Sequence, residues 1–143
     1  MDDLPLYTQD RDADSPASYT RLREQIKQAD GVLIVSPEHN RNVPAALKNA
    51  IDIASRPAGQ SVWGGKPVAI ITVSPTMTGG MSANLTMRNS FVVLGAPVMP
   101  SPEAYFGSIH KSLNEQGELT GEFVIGAIDG FMTAFAAWIE RFR

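Results

Sequence analysis

"GVLIVSPEHNRNVPAALKNAID", residues 31–52, carries a strand, a loop and a helix in one sweep. Val32, Leu33, Ile34 and Val35 form an unbroken apolar run with no polar residue to mark a wet face. That is the pattern of a parallel strand covered on both sides. Pro37 ends the run, and a polar loop of Glu38, His39, Asn40, Arg41 and Asn42 follows. From about Pro44 the period changes to helical, with Leu47, Ala50, Ile51 and Ala54 on one face. The helix stops near Ser55, because the residue before Pro57 is disfavoured in the α region.

The same order recurs on either side of this stretch. Upstream, residues 1–15 are acidic, broken by Pro5, and read as a loop. Ser15-Pro16 offers an N-cap followed by proline at the first helical position, and Tyr19, Leu22, Ile26 and Ala29 then recur on one helix face. Downstream, Val68 to Val73 is a second apolar strand, followed by a polar, glycine-bearing loop from Ser74 to Gly80. A helix through Leu85, Arg88, Val92 and Leu94 ends at Gly95. A third strand is expected at Pro97–Met99, and a last helix carries Ile128, Phe131, Phe135, Trp138 and Phe142. Strands alternating with helices predict an α/β fold, an open parallel sheet with helices on both faces. In such sheets ligands bind beyond the carboxyl ends of the strands. Both unusual loops, 36–43 and 74–80, lie there.

Bulk properties narrow the partners. The chain has 143 residues, 43% of them hydrophobic and 19% charged, enough for one domain with a core. A net charge of -3, with Lys and Arg scattered, gives no footprint for a phosphate backbone, so nucleic acid is not an expected partner. There is no cysteine, which removes disulfides, thiol nucleophiles and cysteine-based metal centres, and no metal site is expected. No leader and no 18-residue apolar stretch is evident, so the expected location is the cytoplasm, without a membrane partner.

Ser36-Pro37-Glu38-His39-Asn40, followed by Val43-Pro44-Ala45-Ala46-Leu47-Lys48-Asn49-Ala50-Ile51-Asp52 and Ser55-Arg56, resembles the signature of the NADPH-dependent FMN reductases of flavodoxin-like fold. That family includes quinone and chromate reductases. The likeness runs on through Gly65-Lys66-Pro67-Val68, Gly79-Gly80 and Leu94-Gly95-Ala96-Pro97-Val98-Met99, and so covers most of the chain from about Leu4.

The resemblance implies bound FMN, NADPH or NADH as electron donor, and a small-molecule acceptor: a quinone, free flavin, an azo or nitro compound, or a metal oxyanion such as chromate. It implies that Pro37, Glu38, His39, Asn40 and Asn42 line the isoalloxazine ring from one side, with Ser74, Thr76, Gly79 and Gly80 approaching from the other. His39 stands where relatives usually carry Tyr. Hydride would pass to the flavin itself, so no catalytic dyad is expected, and a homodimer or tetramer is implied. The resemblance also places Leu4-Pro5-Leu6-Tyr7 after the second strand of a five-stranded sheet. The first strand, first helix and second strand, with the turn that binds the FMN phosphate, would then precede Met1. The alternative function is a shortened, non-enzymatic flavin-binding or self-assembly module.

Outside that motif the residues have plainer readings. His110 is expected at the surface, and Gly79-Gly80 alone would mark a turn. Asp52 and Arg56 would serve helix ends or a subunit interface, the aromatic stripe of the last helix is core, and Trp63 is partly buried loop packing.

Overall fold

The computed structural model describes residues 3–143; Met1 and Asp2, read as the start of the acidic loop, lie outside the described residues. The elements alternate as the sequence predicts: α1 (Ala17–Gln28), β1 (Val32–Pro37), α2 (Ala45–Ala54), β2 (Val68–Ser74), α3 (Met81–Val93), β3 (Ala104–Gly107) and α4 (Glu122–Glu140). The three strands form one parallel sheet in the order β1-β2-β3. Val32 lies opposite Val68 and Pro37 opposite Val73, so β1 and β2 end level with each other. Their carboxyl ends bring the loops after β1 and β2 side by side.

Alternation along the strands splits the core into two. Ile34, Val68 and Ile70 face α1, α2 and α3 and pack with Ile51, Trp63, Met87 and Phe91. Ala69 and Ile71 face the other way and pack with Met99, Ala104, Phe131 and Phe135, the last two from α4. Trp63 is only 3% exposed, more deeply buried than its place beside Gly64 suggested. Its ring meets Phe91 edge-on at 5.0 Å, and its indole N–H donates to the Ile51 carbonyl.

Several expectations from the sequence are corrected. Ser15 does not cap α1: Pro16 occupies that position, while the Ser15 hydroxyl donates to the Arg11 carbonyl and accepts from Arg23. The third strand is Ala104–Gly107, not Pro97–Met99. Val98 forms only an isolated bridge with Val68, because Pro97 has no N–H and the chain leaves the sheet at Pro100 before rejoining it at Ala104. On α3 the buried face is Ala83, Asn84, Met87 and Phe91, whereas Leu85 and Val92 point to solvent. An 18-residue apolar window does exist in α4, with mean hydropathy 1.4. Phe131 and Phe135 lie against the sheet, but most of the helix is exposed and Phe142 is 44% exposed, so the aromatic stripe read as core is core only in its middle.

The segment before α1 is strapped onto α2 by side chains far away in sequence. Asn49 accepts from the Tyr7 amide at 2.9 Å and donates to the Pro5 carbonyl at 3.0 Å. Arg56 donates to the Tyr7 hydroxyl at 2.7 Å and stacks on its ring. Arg56 and Asn49 are thus anchors of this strap, and Asp52 pairs with Lys48 one turn earlier.

Among the described residues β1 and β3 each pair with β2 alone, so both edges of the sheet are free; on the β1 side Val35 is 61% exposed, and an apolar groove of about 240 Å³ runs along β1 between Leu22, Ile26, Leu47 and Trp63.

The burial pattern of α3 gives a paired test. Phe91→Ala empties a fully buried position and is expected to cost about 3–5 kcal/mol. Val92→Ala, at a position 77% exposed, should stay within about 0.5 kcal/mol of the parent. Urea denaturation of both variants checks this, and equal losses would mean that the helix presents a different face.

Candidate functional site

The loop after β1 is a tight hairpin, a feature its composition only hinted at. The His39 amide donates to the Asn42 carbonyl and the Asn42 amide to the His39 carbonyl, both at 2.9 Å. The two central residues, Asn40 and Arg41, have φ of +50° and +62°, the signature of a type I′ turn. Asn tolerates this left-handed region well, which is why it sits there. Pro37, His39, Asn40 and Asn42 are all exposed. The Asn42 side chain accepts from the Val43 amide, and Val43 anchors the far end of the loop in the core.

Glu38 does the opposite. Its side chain is only 8% exposed, and Oε2 accepts from the Ala83 amide in the first turn of α3 at 3.1 Å. The N-cap of that helix is Gly80, which has no side chain to offer, so the carboxylate from the neighbouring loop serves as the cap. The helix dipole favours a negative charge at this end.

The loop after β2 is built from inside. The Ser74 hydroxyl lies 2.8 Å from the Thr76 hydroxyl and accepts from the Thr76 amide at 3.2 Å, folding the loop back on itself. Thr76 and Thr78 share a hydroxyl contact at 3.0 Å. Gly79 and Gly80 are buried with φ of +61° and +78°. A Cβ on Gly79 would lie 2.5 Å from the Tyr105 backbone, and one on Gly80 3.0 Å from Thr72, so these glycines let the loop press onto β2 and β3. Thr76, Met77 and Thr78 are left exposed at the rim.

The sequence-derived residues therefore gather at one end of the sheet in two kinds. Pro37, His39, Asn40, Asn42 and Thr76 are exposed at the mouth, while Glu38, Ser74, Gly79 and Gly80 hold its walls. Two residues that sequence reading passed over, Arg41 and Thr78, join the loops: Arg41 Nη1 donates to Glu38 Oε1 and to Thr78 Oγ1, each at 3.4 Å. The Asn-Arg pair between two hairpin ends was the available signal. His110 is exposed, in a short turn after β3 that begins beside the second loop, where the Ser108 amide donates to the Thr76 carbonyl.

Exposed amides, an imidazole and hydroxyls along this rim fit a flat heteroaromatic ring with a polar edge, such as a flavin. On β3, Tyr105 has its phenol pushed up to about 12 by burial and by neighbouring Glu103, so it stays protonated at neutral pH. A larger hollow of about 710 Å³ lies at the opposite end of the sheet, between α1 and the segment before β2. Its Arg23 and Lys66 already donate to backbone carbonyls, to Ile53 and to Lys27 and Ala29 respectively, so it has less charge to offer a ligand than its size suggests.

Comparison with known proteins identifies the family. A family model described as NADPH-dependent FMN reductase matches residues 1–111. A quinone reductase of Pseudomonas putida is 46% identical over 99% of this chain and 76% of its own length. A 2-hydroxy-1,4-benzoquinone reductase of a Burkholderia species is 43% identical over 98% of this chain and 76% of its own. FerB, a flavoenzyme NAD(P)H:(acceptor) oxidoreductase from Paracoccus denitrificans, superimposes with a TM-score of 0.90 at 41% identity, covering 98% of this chain and 77% of FerB. The flavodoxin-like sheet, the paired loops at its carboxyl end and these matches together establish that the chain belongs to the NADPH-dependent FMN reductase family.

Proposed function

We propose that electrons pass from NAD(P)H through bound FMN to a quinone at the mouth between residues 37–42 and 74–80. The observation that carries this is the junction of the two loops through Glu38, Arg41 and Thr78 in a chain of this family. FMN supplies the hydride- and electron-carrying chemistry when bound. The protein's task is placement. His39 offers an imidazole face, Asn40 and Asn42 offer amides, and the peptide groups of the type I′ turn reach the ring's polar edge. Thr76 approaches from the other loop. Ser74, Gly79 and Gly80 act indirectly, by fixing where that loop stands.

Quinones are the first acceptors to consider, because the related Pseudomonas and Burkholderia proteins are named for them. Free flavin, azo and nitro compounds and chromate are further acceptors that an open ring face would admit. A cytoplasmic location, where the reduced nicotinamides are made, goes with this reading.

Two assembly features belong to the same proposal. Met81, Leu85 and Val92 are exposed on one face of α3, at helical spacing from the capped N-terminus beside the mouth. A second copy packing there would cover them and add an outer wall to the site. The free edge of β1 receives a strand from a preceding β-α-β portion, which would also bring the phosphate-binding turn. In support, the apolar groove along β1 has the character of a strand's bed, and this chain spans 76% of the length of the quinone reductases it matches.

Three measurements test these statements. Anaerobic NADPH is expected to bleach the flavin absorption of the FMN-loaded protein, and a quinone to restore it; a flavin left oxidised by NADPH would refute the reductase reading. Light scattering at micromolar concentration should give a mass of two or more copies, with Leu85→Glu shifting it towards one copy at unchanged helicity. A single-copy mass for the parent overturns the interface. Amides of β1 should exchange quickly in this chain and slow markedly in a form extended upstream. Equal rates in the two forms would show that no strand docks on that edge.

A further inference from the structure

We infer that Met77 selects among acceptors and favours quinones of two or more fused rings. The inference rests on the reading of residues 37–42 and 74–80 as the reductase mouth. A quinone is a flat, uncharged ring system, and apolar surface at the mouth holds such a ring better than amides or hydroxyls do. Among the described residues of the two loops, Pro37, His39, Asn40, Arg41 and Asn42 are exposed on one side, and Pro75, Thr76, Met77 and Thr78 on the other. Met77, 92% exposed, is the one long apolar side chain in that set.

Its base is fixed while its side chain is free. The Thr76 carbonyl accepts from the Ser108 amide and from the Ser74 hydroxyl, each at 3.1 Å. A Cβ on Gly107 would lie 2.7 Å from the Met77 carbonyl carbon, so the end of β3 is pressed against this loop and glycine is what lets it approach. Thr78, the next residue, meets Arg41 of the facing loop at 3.4 Å. The main chain of Met77 therefore stands at a set place beside the junction of the loops. From that base the thioether swings on rotatable bonds, and its polarisable sulfur makes favourable contacts at the edges of aromatic rings. Hydrophobic gain scales with the area removed from water, so a second fused ring that reaches the rim profits from Met77 where a single small ring does not. A dinucleotide donor has most of its surface in polar groups away from its reactive ring, and so depends less on one apolar side chain.

The test uses the FMN-loaded protein with benzoquinone and naphthoquinone, which differ by one fused ring. Each quinone has the same driving force in parent and variant, so the variant-to-parent ratio isolates the contact. In Met77→Ala, and in Met77→Gln, which keeps the length but is polar, KM for naphthoquinone is expected to rise about fivefold or more and KM for benzoquinone less than about twofold. Met77→Leu, still apolar, should stay near the parent for both. The rate at which NADPH bleaches the flavin and the dissociation constant for FMN should remain within about twofold of the parent. Met132→Ala, at a methionine 40% exposed on α4, controls for the loss of an exposed thioether and should change neither KM. Equal losses for the two quinones, no loss for either, or a matching loss in flavin reduction by NADPH overturns the inference. Weaker FMN binding in Met77→Ala would make Met77 a cofactor contact and overturn it as well. If NADPH leaves the flavin oxidised, the reductase reading fails; naphthoquinone titrated into the oxidised protein, followed by quenching of flavin fluorescence, still decides the role of Met77 by whether Met77→Ala weakens binding about fivefold.

Discussion

The structure depends on one crowded joint, where a carboxylate from the loop after β1 reaches the helix that follows β2. Glu38 Oε2 accepts from the Ala83 amide, and the helix it caps begins at Gly80, a residue held at φ +78° with Thr72 and Glu38 packed against it. Any side chain at residue 80 would push the helix away from β2 or Glu38 away from the helix. Any residue at 38 too short to reach Ala83 would leave the first turn of α3 uncapped. Because the same carboxylate touches Arg41, the joint sets the hairpin turn, the gap between the loops and the start of α3 together. On the function proposed above, a flavin ring at those loops takes its position from this joint. Hydride transfer demands such placement more than it demands an acid or a base.

Where the local pattern was strong, the sequence predicted structure well. The apolar run at Val32–Val35, the second at Val68–Val73 and the helix from Pro44 are all present, because each is decided by residues within a few positions of one another. The failures share a different cause. On α3 the apolar residues are spread around the helix, so periodicity could not distinguish Phe91, which is buried, from Val92, which is not. The third strand was misplaced because Val98 looks like a strand residue, while its pairing partner Val68 lies thirty residues earlier. The strap formed by Tyr7, Asn49 and Arg56 joins positions more than forty apart, and no local rule reveals it. At the candidate site the motif singled out two loops that the structure brings together at one end of the sheet. What it did not show was division of labour: the buried Glu38, Ser74 and paired glycines build the walls, while Arg41, absent from the motif reading, crosses the gap.

The β1 side of the sheet has two deficits that meet at the same corner. Along its edge β1 lacks a neighbour, and on the α4 side of its face Leu33 and Val35 are incompletely covered, because α4 sits over β2 and β3 with Phe131 and Phe135. A strand alone would satisfy the edge and leave that face bare. A helix alone would cover the face and leave the backbone edge unpaired. A strand followed by a helix answers both, since alternation sends the residues of β1 to opposite faces while a crossover places its helix over one of them. α4 is long and apolar yet largely unburied: Phe131 and Phe135 pack against the sheet, while Phe123 lies along the β3 side with Gly126, Ala127 and Gly130. The edge groove and the exposed face of β1 are therefore two sides of a single structural constraint, the lack of a strand and helix beside β1 among the described residues.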